Sequence, residues 1–231
     1  EDALRTLRIQ HEADAETTTP RGFNPLNEYR AMARSEGYYA LFRQRAQENA
    51  RVYLRKAKGR PSAADAAHLA AILQLAARSG IAVKLVIYPY HAQILALFEE
   101  SGLWPAFEAW KRQLTGMVAA LRQDHPTARL ELFDFSGYSA LHCERIPAKA
   151  DRLADTRWYW EGGHFKKALG ERVLERLLSD APGDSAFGFR LEADTAAANR
   201  RRIVAERQQC LRDYPALFQE SAALVAAALR R

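Results

Sequence analysis

A chain of 231 residues with 48% hydrophobic and 10% aromatic residues holds enough apolar material for a real core, in one large domain or two small ones. Its formal charge of +6 comes mostly from arginine scattered among 28 acids. The longest basic cluster, Arg200-Arg201-Arg202, lies in a helical stretch that also carries acids, so nucleic-acid binding is not expected and only a weak pull toward anionic polymers or lipid surfaces is. Cys143 and Cys210 fit neither zinc nor Cys-x-x-Cys spacing, and a disulfide between them is compatible with the sequence without being fixed by it. No apolar run approaches transmembrane length. The chain begins Glu-Asp-Ala, without an initiator Met or a signal peptide, and is expected to be a processed or trimmed product from which any anchor or targeting signal has been removed.

Residues 1–27 are polar and broken by Thr17-Thr18-Thr19-Pro20 and Asn24-Pro25, as in a tail or connecting arm. From Glu28 to Lys58, Tyr38, Leu41, Phe42, Val52 and Leu54 recur at helical spacing, interrupted at Gly37. Ser62 and Asp65 have the spacing of a capping box, and Leu69, Ile72, Leu73 and Leu75 follow in an Ala-rich helix that Gly80 ends. Ile81 to Tyr88 is β-branched and mostly apolar, which predicts a buried parallel strand stopped by Pro89. Helices are predicted from Ala92 to Ser101 and from Pro105 to Gln123, the second with Phe107, Trp110, Leu114, Val118 and Leu121 on one face. Leu130 to Phe135 is the second strand, and Ser136 to Tyr159 has no period. Helices are predicted again over 166–179, 195–212 and 214–230. The alternation implies an α/β layered fold with parallel strands in a single domain over 28–231, or the C-terminal part of one, with a helical extension over 194–231. Two strands are few for so many helices; the remaining strands either hide in irregular stretches or lie upstream of Glu1, and the second is favoured.

Ligands of open α/β sheets bind beyond the carboxyl ends of the strands. Three segments are expected there: Tyr88-Pro89-Tyr90-His91, Asp134-Phe135-Ser136-Gly137-Tyr138, and the turn Glu161-Gly162-Gly163-His164 before a helix. His164 is a candidate general base, with Glu161 bonded to its other ring nitrogen to fix the tautomer. The plain alternative is that Glu161 caps the helix and His164 is half-exposed beside Trp160. His91 is a candidate oxyanion or substrate contact, or else an ordinary helix N-terminal residue bonded to the backbone. Ser136, after a strand and before Gly137, is a candidate nucleophile, although Ser-Gly is also common in turns. Tyr90 is placed with the substrate. Trp158, Tyr159 and Trp160 can form a sugar-stacking wall or, equally, pack a long loop. His142, Cys143, Glu161 and His164 suggest a metal on paper, but a Glu-x-x-His pair needs partners on other helices that this sequence lacks; no metal is expected.

These residues resemble a known pattern. Asp134 to Tyr138, then Trp158-Tyr159-Trp160-Glu161-Gly162-Gly163-His164-Phe165 and Leu169-Gly170, resemble the SGNH (GDSL-like) hydrolase superfamily over roughly residues 80–178. The likeness is strongest to uncharacterised bacterial membrane-anchored members and more distant to the acyl-transfer proteins of alginate acetylation and teichoic-acid D-alanylation. The family's last block, usually Asp-x-x-His, would be Glu161 to His164. Its Gly-Asp-Ser nucleophile block and oxyanion glycine are absent, and Pro89-Tyr90-His91 stands where an oxyanion Asn is usual.

The resemblance implies a flavodoxin-like three-layer fold, incomplete here, and a serine esterase or O-acyltransferase acting on an acylated cell-envelope or extracellular polysaccharide. His164 would be the base, Glu161 its orienting acid, and the nucleophile would lie outside this chain. No cofactor is required, and a periplasmic or cell-envelope location with a membrane anchor outside the chain is implied. The alternative is a non-catalytic polysaccharide-binding or assembly protein of the same fold. A third possibility is a helical interaction module using Leu217, Leu224, Val225 and Leu229. Oligomeric state is not readable from the sequence.

Overall fold

Gly37 divides the first helical stretch, as its position predicts. In the computed structural model, which describes residues 24, 26–59, 62–178 and 187–230, α1 (Asn27–Glu36) and α2 (Tyr38–Ala57) meet at this glycine. Its φ is +82°, and a Cβ there would stand 3.2 Å from the Arg152 backbone, so both conformation and space favour glycine. Nearly all of the predicted N-terminal arm lies outside the described residues. Next comes α3 (Ala63–Arg78), whose first turn is capped by Ser62: the hydroxyl accepts from the Asp65 amide at 3.1 Å.

The central sheet has the order β1-β2-β5, formed by Val83–Ile87, Leu130–Asp134 and Phe189–Arg190. Strands β1 and β2 are parallel, with Val83 opposite Leu130 and Ile87 opposite Asp134. The predicted burial of the first strand needs correction. It lies at the sheet edge, Lys84 and Val86 are exposed, and only Ile87 is buried. An all-parallel sheet is also corrected, because β5 runs antiparallel to β2. Two further strands, β3 (Tyr159–Glu161) and β4 (His164–Phe165), form a small antiparallel hairpin. Short strands therefore do sit in stretches without a period. Two or three residues are too few to show one.

Period 2 explains how the sheet acquires two apolar faces. Leu130 and Leu132 join Leu73 and Ala77 of α3 and Leu114, Val118 and Leu121 of α5 (Trp104–Asp124). Phe133 and Phe135 are in the cluster of Val173 from α6 (Lys167–Leu178) on the other side. The protein is thus α/β, with helices on both faces of a small mixed sheet.

The largest apolar cluster is helical. From Ala92 to Phe98, α4 (Ala92–Glu100) is buried on every side, as expected of a helix apolar all round. It packs with α2, with α7 (Ala196–Asp213) and with α8 (Pro215–Leu229). Leu217, Leu224 and Val225 of α8 are buried in this cluster, so that face is used within the chain, while Leu229 is exposed. The predicted C-terminal extension is thereby part of the core.

Cys143 and Cys210 form a disulfide that joins the loop after β2 to α7 across 67 residues. Cross-linking a loop of that length removes about 4 kcal/mol of chain entropy from the unfolded state. The double variant Cys143→Ser/Cys210→Ser is expected to lose about 2–5 kcal/mol. Urea denaturation with and without reductant checks this, and the wild-type protein in reductant should approach the variant.

Candidate functional site

The turn from Glu161 to His164 is held against the start of α4. The Gly162 carbonyl accepts from the His91 amide at 3.1 Å. A Cβ on Gly162 would lie 2.9 Å from Ile94 Cγ1, so a side chain there would push the hairpin off the helix. Tyr159 is fully buried, and its hydroxyl donates to the Pro89 carbonyl at 3.0 Å. The stacked rings of Tyr88 and Phe165 are 5.0 Å apart. The segment after β1 and the hairpin therefore do converge, as the sequence predicts. The segment after β2 joins them through His142, whose carbonyl accepts from the Ala92 amide at 2.9 Å and whose Nε2 donates to the Phe135 carbonyl at 2.6 Å.

Within this junction Glu161 is buried, its side chain 2% exposed, whereas that of His164 is 43% exposed. His164 Nδ1 makes a short contact with Glu161 Oε1. The other carboxylate oxygen accepts from the Gly163 amide at 2.8 Å and lies 3.3 Å from Arg45 Nε. Arg45 also donates to the Tyr29 hydroxyl at 3.0 Å, and that hydroxyl is 3.2 Å from His164 Nδ1. A carboxylate at Nδ1 selects the tautomer with the proton on that nitrogen. The Nε2 lone pair of this half-exposed ring is then left with no hydrogen-bond partner among the described residues. Glu161, Tyr29 and Arg45 border a cavity of about 160 Å³ between α1 and α2. Burial raises the pKa of Tyr29 above the ordinary phenol value, so it acts as a neutral hydroxyl.

The remaining candidates are placed differently. His91 is fully buried at the N-cap of α4. Its Nδ1 accepts from the Gln93 amide at 3.1 Å, and its Nε2 donates to the Glu144 carbonyl at 2.8 Å. No N–H of this ring remains for an oxyanion, so the helix-capping alternative describes it. Ser136 is fully buried too. Its hydroxyl donates to Asp134 Oδ1 at 2.6 Å, and Asp134 Oδ2 receives Asn199 at 2.7 Å and Lys111 at 3.1 Å. It is part of a closed polar network at the end of β2 and is hydrogen-bonded to Asp134, not to His164.

The three rings of the predicted stacking wall do not form one surface. Tyr159 points into the core, Arg157 lies 4.3 Å over Trp158, and Lys166 lies 4.6 Å over Trp160. Tyr90 is half-buried beside Tyr88 and Phe98. Cys143 is bonded to Cys210, and both ring nitrogens of His142 are engaged, Nδ1 by Ser139 at 2.8 Å. Neither is turned to a metal shared with Glu161 and His164.

Sequence reasoning missed Tyr29, Arg45 and Glu144. The Glu144 carboxylate accepts from the backbone amides of Arg157, Trp158 and Tyr159 and so sets the entry into β3. Tyr29 and Arg45 precede the hairpin by more than a hundred residues, on helices whose apolar period carries no information about a polar contact. No family model, curated protein or solved structure matches the chain.

Burial lowers the pKa values of both His91 and His142 to about 4, against the opposing effect of their bonds to the Glu144 and Phe135 carbonyls. An unfolded histidine takes up a proton near pH 6.5. Between pH 6.5 and 4 the unfolded state therefore binds more protons, and stability falls as pH falls through that window. By pH 4.5 the loss is on the order of 2–3 kcal/mol per ring. Denaturant titrations at pH 7 and 4.5 check it. His91→Asn, which keeps a side-chain acceptor at the cap, should be less stable at pH 7 but show the smaller pH dependence.

Proposed function

We propose that the protein is the catalytic-base part of an SGNH-type serine esterase or O-acyltransferase that acts on an acylated cell-envelope or extracellular polysaccharide. One observation carries this reading: a buried carboxylate at Nδ1 of an accessible histidine, the two joined across a turn pinned by backbone packing. His164 Nε2 takes the proton of a serine hydroxyl as it attacks the ester carbonyl. Glu161 holds the ring and stabilises the imidazolium that forms. Arg45 and the Gly163 amide hold Glu161 in turn. The protonated His164 then gives its proton to the leaving alcohol, and water or a sugar hydroxyl accepts the acyl group in the second half-reaction.

The nucleophilic serine is assigned to sequence outside this chain. Among the described residues no serine, threonine or cysteine side chain is bonded to His164, and the Ser136 hydroxyl is committed to Asp134. The oxyanion donors are assigned there too, since the His91 ring is fully engaged. A periplasmic or cell-envelope site is proposed with it, and the disulfide fits such an oxidising compartment. The non-catalytic alternative, a glycan-binding or assembly protein, has one observation in its favour: the described residues offer His164 no nucleophile.

The deciding experiment is fluorophosphonate labelling of the full-length protein, followed by peptide mapping. One serine outside residues 1–231 should be labelled. The label should be lost in His164→Ala and kept in Ser136→Ala, and Glu161→Gln should slow ester turnover by about 10²–10⁴-fold. No labelled serine, or labelling indifferent to His164, would leave the binding protein as the better reading.

A further inference from the structure

A groove of about 780 Å³ runs between α1, the 152–157 loop and the start of α6. Its lining carries six basic side chains, Arg30, Arg34, Arg152, Arg157, Lys166 and Lys167, and one acidic one, Asp155. Asp155 is already engaged by Lys166 at 2.7 Å, and Lys167 pairs with Glu171. The four arginines have no ion pair among the described residues. Arg152 is fixed by a bond to the Ser35 carbonyl, and Arg157 by the Trp158 ring 4.3 Å away.

The floor holds the cations in place. Tyr38 and Trp160 are nearly parallel at 6.2 Å, with Lys166 Nζ 4.4 Å from one ring centre and 4.6 Å from the other. Such cation–π contacts restrain the ammonium without neutralising it. The N-terminus of α6 opens into the same groove and adds the positive end of a helix dipole. A concave surface with six cations against one acid is not explained by scattered surface charge.

We propose that this groove binds a chain-like anion bearing phosphate or carboxylate groups, as an anionic glycan presents them. The guanidinium fork matches both groups in two-point contacts, and several forks along one groove suit repeated charges. The anion preference stands on the groove alone; only the assignment to a glycan rests on the reading given under Proposed function. Trp160 lines the groove and its neighbour on β3, Glu161, faces the opposite side toward Arg45, so the groove and the candidate base lie on two faces of one short strand. Leu153, 97% exposed at the rim, is one apolar residue on a concave basic surface. That is less than an interfacial membrane anchor presents.

The test is equilibrium binding of a fluorescent oligogalacturonate at low ionic strength, with inorganic tripolyphosphate and neutral dextran oligomers as competitors. Binding should be displaced by tripolyphosphate and not by dextran. Arg34→Glu/Arg157→Glu should weaken it at least tenfold with an unchanged thermal transition. Arg51→Glu/Arg55→Glu, on exposed arginines of α2 outside the groove, should leave it within twofold. Equal loss in both pairs, absence of binding, or binding only to phosphatidylglycerol vesicles would overturn the proposal. Binding that persists when no serine is labelled would sink the hydrolase reading and leave the groove standing.

Discussion

A carboxylate removed from water must be met by donors or positive charge, and Glu161 meets that condition with groups from separate parts of the chain. The Gly163 amide and His164 come from its own hairpin; Arg45 comes from α2, and Tyr29 of α1 joins through Arg45 and His164. The burial of one acidic side chain therefore fixes where two helices sit relative to a hairpin. It also explains why the hairpin can be so short. Its two strands supply few backbone bonds, and the pinning comes from the carboxylate, from the Gly162 carbonyl and from the Tyr159 hydroxyl.

Asp134 is the instructive contrast. Both acids end a strand, and both are surrounded by donors. Asp134 is wholly enclosed by Lys111, Asn199 and Ser136, all themselves buried. The effect of that network is to tie α5 and α7 to the end of β2. Glu161 passes its influence to a ring that is almost half in solvent. The same chemistry is structural where every partner is buried, and open to chemistry where one partner is not.

The sequence marks the elements whose physics is local. Gly37, the Ser62 cap, Pro89, and the helical spacing in α5 and α8 each determine their own neighbourhood, and the helices lie where those signals put them. The Glu161–His164 pair was legible for the same reason, since three residues across a Gly-Gly turn restrict the geometry. What the sequence hid depends on partners. Ile81 to Tyr88 is apolar enough for a central strand, yet β1 is an edge because nothing among the described residues pairs with its other side. His91 and Ser136 follow strands as site residues do, but which way each side chain turns depended on Glu144 and Asp134. Three adjacent aromatics read as a wall, although strand alternation sends Tyr159 inward while its neighbours stay at the surface.

The disulfide has a topological consequence for the candidate site. The covalent ring closed by Cys143 and Cys210 contains the hairpin, α6 and β5, so Glu161 and His164 lie inside it. Tyr29 and Arg45 lie outside, on chain that is threaded to the ring only at Cys143. One proteolytic cut within the ring yields two peptides that remain a single covalent species and migrate apart only after reduction. A cut between α2 and β1 frees the segment bearing Tyr29 and Arg45, which then stays with the ring through packing alone.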